Sequence, residues 1–207
     1  MATKIFTVAI LLITAMTTIF STCKKGGLGC ANTVYNFKIA GKIYPDKDSI
    51  HVGDTVWLEL NVPTSFTDIT SNQIVDFSEA GNLGSAIGFG EYSVINNPIP
   101  AANSFIDVLV TGKEISNANT AQIREFLFEE KNNRYVFKLG IIPNENGIFG
   151  VGFSNAQNVY RNSDLCTKAF FKIILENTHQ HYYLNPNINS SNTDTTKPSG
   201  SYYFKVY

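Results

Sequence analysis

Histidines, cysteines and closely spaced acids are the side chains of this 207-residue chain best suited to chemistry. His179-Gln180-His181 has the spacing that would put both imidazoles on one face of a strand, where a metal ion could use them. No third ligand is close in sequence, and a polar loop after Leu175 accounts for the pair equally well, so no metal site is assigned. His51 stands apart from both. No serine lies in Gly-x-Ser-x-Gly, so the hydrolase elbow is missing and no catalytic residue is assigned. The stretch Gly81 to Gly90 is the richest in glycine, yet it matches neither the phosphate loop nor the dinucleotide fingerprint. Its expected role is to let the chain turn or bulge. Asp46, Asp48, Asp54, Glu129 and Glu130 fall at expected turns without the ligand spacing of a calcium loop, and read as solvated acids. The sequence calls for no cofactor.

The aromatic pairs in His181-Tyr182-Tyr183 and Tyr202-Tyr203-Phe204 could stack on sugar rings, although large aromatics are core material first. With a net charge of -1, the chain lacks the basic face of a nucleic-acid binder.

The three cysteines are Cys23, Cys30 and Cys166, an odd number that leaves one thiol over in an exported protein. Export is what the N-terminus indicates. Lys4 precedes an uncharged, apolar run from Ile5 to Phe20, the pattern of a signal peptide over residues 1–22. At ~1.5 Å per residue that run reaches only about 24 Å as a helix, short of the ~30 Å hydrocarbon core. Removing Cys23 from the count leaves Cys30 and Cys166 as a pair that an oxidising compartment could join. Ordinary cleavage after Gly29-Cys30-Ala31 is the alternative, and it would strand Cys166. A buried free thiol at Cys166 is also open.

Around these residues the pattern is one of short strands. Residues 23–32, rich in Gly and Lys, read as a tether, and 33–207 as one β-domain. Asn36 to Tyr44 alternates with a period near two, and in Thr55 to Pro63 the residues Val56, Leu58, Leu60 and Val62 share a face. Further strands are expected at Ile74–Phe77, Ser104–Val110, Gly147–Ser154, Ala169–Leu175 and Tyr202–Val206. Arg124–Glu130 and Arg134–Ile142 flank Asn132-Asn133, which suits a two-residue hairpin. Ala121–Glu130 could instead form a short helix. Residues 185–200 are polar without apolar periodicity and read as a mobile loop. Many short strands between turn signals indicate an all-β sandwich.

Three resemblances extend this reading. Phe20-Ser21-Thr22-Cys23 resembles the lipobox of bacterial lipoproteins, in which the cysteine is diacylated and becomes the first mature residue. Ser21 fits; Phe20 and Thr22 stand where the pattern prefers Leu and a small residue. The sequel Cys23-Lys24-Lys25-Gly26 is similar to lipoproteins of the Bacteroidota, whose lipoboxes are looser. Ile50 to Leu58, with its Val52-Gly53-Asp54-Thr55 turn, resembles bacterial immunoglobulin-like domains and implies an immunoglobulin-like β-sandwich. Asp48-Ser49-Ile50, Asp54-Thr55-Val56 and Asp194-Thr195-Thr196 resemble Bacteroidota O-glycosylation acceptors, with Thr195 the most accessible.

These resemblances imply lipidation at Cys23 and a non-enzymatic structural or interaction module, held at the outer membrane by its lipid and facing either the periplasm or the surface. The alternative is a glycan-binding accessory lipoprotein for sugar uptake. Expected partners are the membrane and a protein or glycan ligand, with no nucleic acid.

Overall fold

The computed structural model describes residues 33–92, 98–176, 179–187 and 199–207. The signal peptide, the tether, Cys23, Cys30 and Thr195 lie outside the described residues, as does most of the 185–200 loop.

The described chain is all-β. Its strands begin with β1 (Thr33–Tyr44), β2 (Ser49–Ile50), β3 (Val56–Pro63), β4 (Ser65–Thr67), β5 (Ile74–Asp76) and β6 (Gly84–Glu91). There follow β7 (Ile99–Pro100), β8 (Phe105–Thr111), β9 (Lys113–Glu114), β10 (Ile123–Leu127), β11 (Glu129–Lys131) and β12 (Arg134–Pro143). The last are β13 (Gly147–Phe153), β14 (Ala156–Arg161), β15 (Asp164–Leu175) and β16 (Ser201–Val206). One seven-stranded sheet, here sheet A, runs β11-β12-β3-β1-β15-β14, with β8 also paired to β12. Sheet B, also seven-stranded, runs β2-β16-β13-β6-β10-β9, with β7 on β6. A two-stranded sheet joins β4 to β5.

Period-two alternation builds the sandwich. On β3, Val56, Leu58, Leu60 and Val62 are buried while Trp57, Glu59 and Asn61 are not. Phe37 and Ile39 of β1, Phe137 and Leu139 of β12 and Phe171 and Ile173 of β15 join them from sheet A. Sheet B supplies Ile87, Phe89, Phe149, Val151, Tyr202 and Phe204. Phe37, Phe66, Phe77 and Phe171 form one aromatic cluster, with Phe37 and Phe171 centroids 5.0 Å apart. Beside it Tyr135 is buried, but its hydroxyl donates to Phe77 O at 2.6 Å and accepts from Ala80 N at 3.0 Å, so no polar group is orphaned there. An ion pair between Arg124 of β10 and Asp107 of β8 joins the two sheets at one margin. Arg124 also donates to Ala102 O at 2.6 Å and lies over the Phe89 ring.

Asn132 and Asn133 take φ of 52° and 56° between β11 and β12, the hairpin their sequence indicates. Gly53, at φ 89°, sits in the turn between β2 and β3, where Asp54 Oδ2 accepts from His51 N at 2.9 Å.

Two expectations need correction. Gly81–Gly90, read as a turn or bulge, turns only at Gly81–Asn82 and then enters β6, a central strand of sheet B, because alternate residues Ile87 and Phe89 bury fully and hold it in the sheet. The helical alternative at Ala121–Glu130 fails as well: β10 pairs with β6 from Ile123↔Gly88 to Leu127↔Gly84, burying Phe126.

Candidate functional site: a glycine-floored cleft on sheet B

Strands β6 and β13 are neighbours at the centre of sheet B, and both alternate bulky residues with glycine. In Ile87-Gly88-Phe89-Gly90 and Phe149-Gly150-Val151-Gly152-Phe153 the bulky residues are buried. Period two then sends all four glycines to the outer face. The register places Gly90 opposite Gly150 and Gly88 opposite Gly152. Across the next ladder Gly150 faces Tyr203 and Gly152 faces Ser201 of β16. The result is a strip of backbone without side chains of its own, two strands wide, buried at Gly90 and Gly150 and half-buried at Gly88 and Gly152, with a cleft of about 180 Å³ above it.

The four glycines differ in what lies above them. A Cβ at Gly150 would come within 2.7 Å of Tyr92 Cε2 and 2.8 Å of Tyr203 Cε1, so the two rings lie down on that position. At Gly90 it would approach Pro98 and Tyr92 at 3.1 and 3.2 Å. At Gly152 it would run into the Gly200 carbonyl oxygen. At Gly88 it would meet no described atom within 4 Å. Tyr92 and Tyr203 pack edge to face, centroids 5.3 Å apart, and form one wall. Burial and the neighbouring Tyr203 push the Tyr92 hydroxyl far above its ordinary pKa, so it stays a neutral phenol. Gln122, Ser154 and Ser201 supply polar groups along the cleft. None of the described residues lining it carries a charge.

Sheet A has its own outward aromatic pair, Tyr44 and Trp57. Lys138 Nζ lies 5.7 and 4.9 Å from their ring centroids and is held by Glu59 at 3.8 Å. That lysine covers the faces a ligand would stack on.

The residues singled out from sequence are dispersed. His179 and His181 do come together, with centroids 6.2 Å apart, but around Asp46 rather than on a strand. Asp46 accepts two contacts at 3.1 Å from the His179 amide and faces His179 Nδ1 at 2.6 Å. His181 Nε2 faces its other oxygen at 3.3 Å without an aligned hydrogen bond. Burial alone would raise the Asp46 pKa, but the His179 amide and both rings bring it below the ordinary value. This clasp ties residues 179–181 to the turn after β1. Asp48 accepts from the Tyr183 hydroxyl at 2.6 Å, and Glu130 from Glu79 N at 2.7 Å. No group of three or more His, Cys, Asp or Glu among the described residues is placed to hold a metal ion. Of the aromatic pairs, Tyr202 and Phe204 are core, while Tyr203 turns outward to the cleft. Cys166 is half-buried on β15, one residue before Thr167, the register partner of Thr33.

Sequence reasoning missed the cleft because glycine signals turns. The alternation of glycine with Ile, Phe and Val in two segments was the available sign. No family model, curated protein or solved structure matches the chain.

Proposed function

We propose that the chain is a lipid-anchored, non-enzymatic interaction module of the bacterial cell envelope, tethered through Cys23 at the outer membrane. The observation that carries this reading is the start of β1. It enters the sheet at Thr33, ten positions after Cys23, in parallel register with β15 at Thr33↔Thr167. Cys30 is three residues before Thr33, and each residue spans at most ~3.3–3.6 Å. That reach allows Cys30 to approach Cys166, which adjoins Thr167, within the ~4.4–6.8 Å between Cα atoms that a disulfide requires. The bridge would close a long loop, a stabilisation of about 4 kcal/mol in the loop-entropy account. Pairing of those two leaves Cys23 for acylation, and more than one acyl chain makes anchoring stable. The Val52-Gly53-Asp54-Thr55 turn between β2 and β3 supports an immunoglobulin-like ancestry for the sandwich.

Mass spectrometry of the mature protein under non-reducing conditions tests this reading. We expect Cys23 at the N-terminus with acyl mass, a Cys30–Cys166 cross-link and, on the peptide containing Thr195, a glycan mass. A mature N-terminus at Asn32 would overturn the anchor. So would palmitate labelling that persists in Cys23→Ala.

A further inference from the structure

We propose that the glycine-floored cleft on the outer face of sheet B binds a neutral pyranose unit of a glycan. The inference goes beyond the anchoring proposal and stands whether or not Cys23 is acylated.

Glycine inside a strand weakens it, so four glycines in register on two central strands need a local reason. Three have one within the fold: Gly90 and Gly150 lie beneath Tyr92 and its neighbours, and Gly152 abuts the backbone at Gly200. Gly88 has none among the described residues, since a Cβ there would meet no described atom within 4 Å. Its backbone φ also lies outside the left-handed range, so conformation does not demand glycine. What Gly88 leaves bare is the floor of the cleft.

The walls define the ligand. Described lining residues without charge disfavour phosphates, carboxylates and ammonium groups, whose burial unpaired is costly. The volume of about 180 Å³ corresponds to roughly six waters at ~30 Å³ each, room for one ring and not for a drug-sized molecule. A ring seated there meets peptide planes below, tyrosine edges at one side and the hydroxyl and amide groups of Ser154, Ser201 and Gln122. Apolar C–H faces with hydroxyls around the edge are the chemistry of a neutral sugar. An extended peptide cannot add as a strand here, because β6 and β13 already pair with strands on both sides.

The test uses the full chain in detergent micelles. Calorimetry is run against malto-, cello-, xylo-, manno- and laminari-hexaose, with a galacturonate hexamer as anionic comparison. We expect at least one neutral hexasaccharide to bind, with affinity falling by about tenfold or more in Gly88→Val and in Tyr92→Ala. Gly88→Val should keep the wild-type circular dichroism spectrum. The proposal is overturned if no neutral hexasaccharide binds, if only the anionic one does, or if Gly88→Val binds within about twofold of wild type. Misfolding of Gly88→Val would also overturn it, because the space over Gly88 would then not be open. Anchoring is read separately, from acyl mass, so failure of either proposal is distinguishable.

Discussion

Alanine substitution at each glycine of the cleft separates sites that differ only in what lies above them. At Gly88 the added methyl meets no described atom within 4 Å, and the unfolded chain loses conformational freedom, so Gly88→Ala should gain about 0.5–1 kcal/mol. At Gly152 the methyl falls against the Gly200 carbonyl and comes within 2.8 Å of Ser201 Cα. Both are backbone atoms of the neighbouring chain segment and cannot swing aside as a side chain would. Overpacking of this kind costs ~1–3 kcal/mol. Gly150→Ala should fall between, since the rings of Tyr92 and Tyr203 can tilt away at the expense of an edge-to-face contact of ~0.5–1.5 kcal/mol. The two extremes thus differ by about 1.5–4 kcal/mol. For a domain of this size that is a gap in thermal midpoint of about 3–16 °C. Calorimetric melting of the three variants side by side reads it directly. Equal losses at Gly88 and Gly152 would refute the reasoning, because the glycines would then carry a general strand effect and not distinct neighbours.

Three further outcomes follow from the same geometry. Arg124→Ala should cost ~2–4 kcal/mol in urea denaturation by leaving Asp107 half-buried without its counter-ion, and Arg124→Met with Asp107→Leu should recover much of it. A double variant no better than the single one would contradict this. Asp68 accepts from Asn36 N and from the Ser71 amide and hydroxyl, which hold its pKa below the ordinary carboxylate value. Its contribution is therefore present at neutral pH and is lost as pH falls below about 4, toward the lowered pKa. Asp68→Asn should flatten that part of the stability–pH curve, and an unchanged curve would count against the assignment. Finally, β8 pairs only with β12 among the described residues, and Ile106, Val108, Leu109 and Val110 are exposed along it. Val108→Lys should raise the concentration at which the protein aggregates, measured by light scattering, without lowering its melting temperature.

Much of the sandwich was legible wherever bulky residues alternate. The patterns of β1, β3, β12, β13, β15 and β16 lie on the surface of the sequence, because burying one face of a strand leaves a period of two. β6 was not legible by the same rule. Gly81, Gly84, Gly88 and Gly90 crowd ten residues that open on a turn, so the run carried a turn signal, whereas in β13 the glycines at 150 and 152 stand between Phe149, Val151 and Phe153. The cleft therefore escaped notice along with the strand that floors it. The link between His179, His181 and Asp46 was equally hidden, since it joins positions 133 residues apart through the folding of separate loops. The pairing of β1 with β15 is of the same kind: each strand shows its period, and neither shows its partner.

That pairing governs how the domain bears load. β1 is an interior strand, held by β3 on one side and by β15 in parallel over nine register positions, from Thr33↔Thr167 to Gly41↔Leu175. A pull on Thr33 from the N-terminal side acts along the strand axis. The β15 ladder over Thr33–Gly41 then resists in shear, with the β3 ladder continuing it over Gly41–Tyr44, instead of opening bond by bond as it would at a peeled edge. A tether joined to the first residue of β1 would therefore load nine paired positions of the sheet at once and not a single end bond.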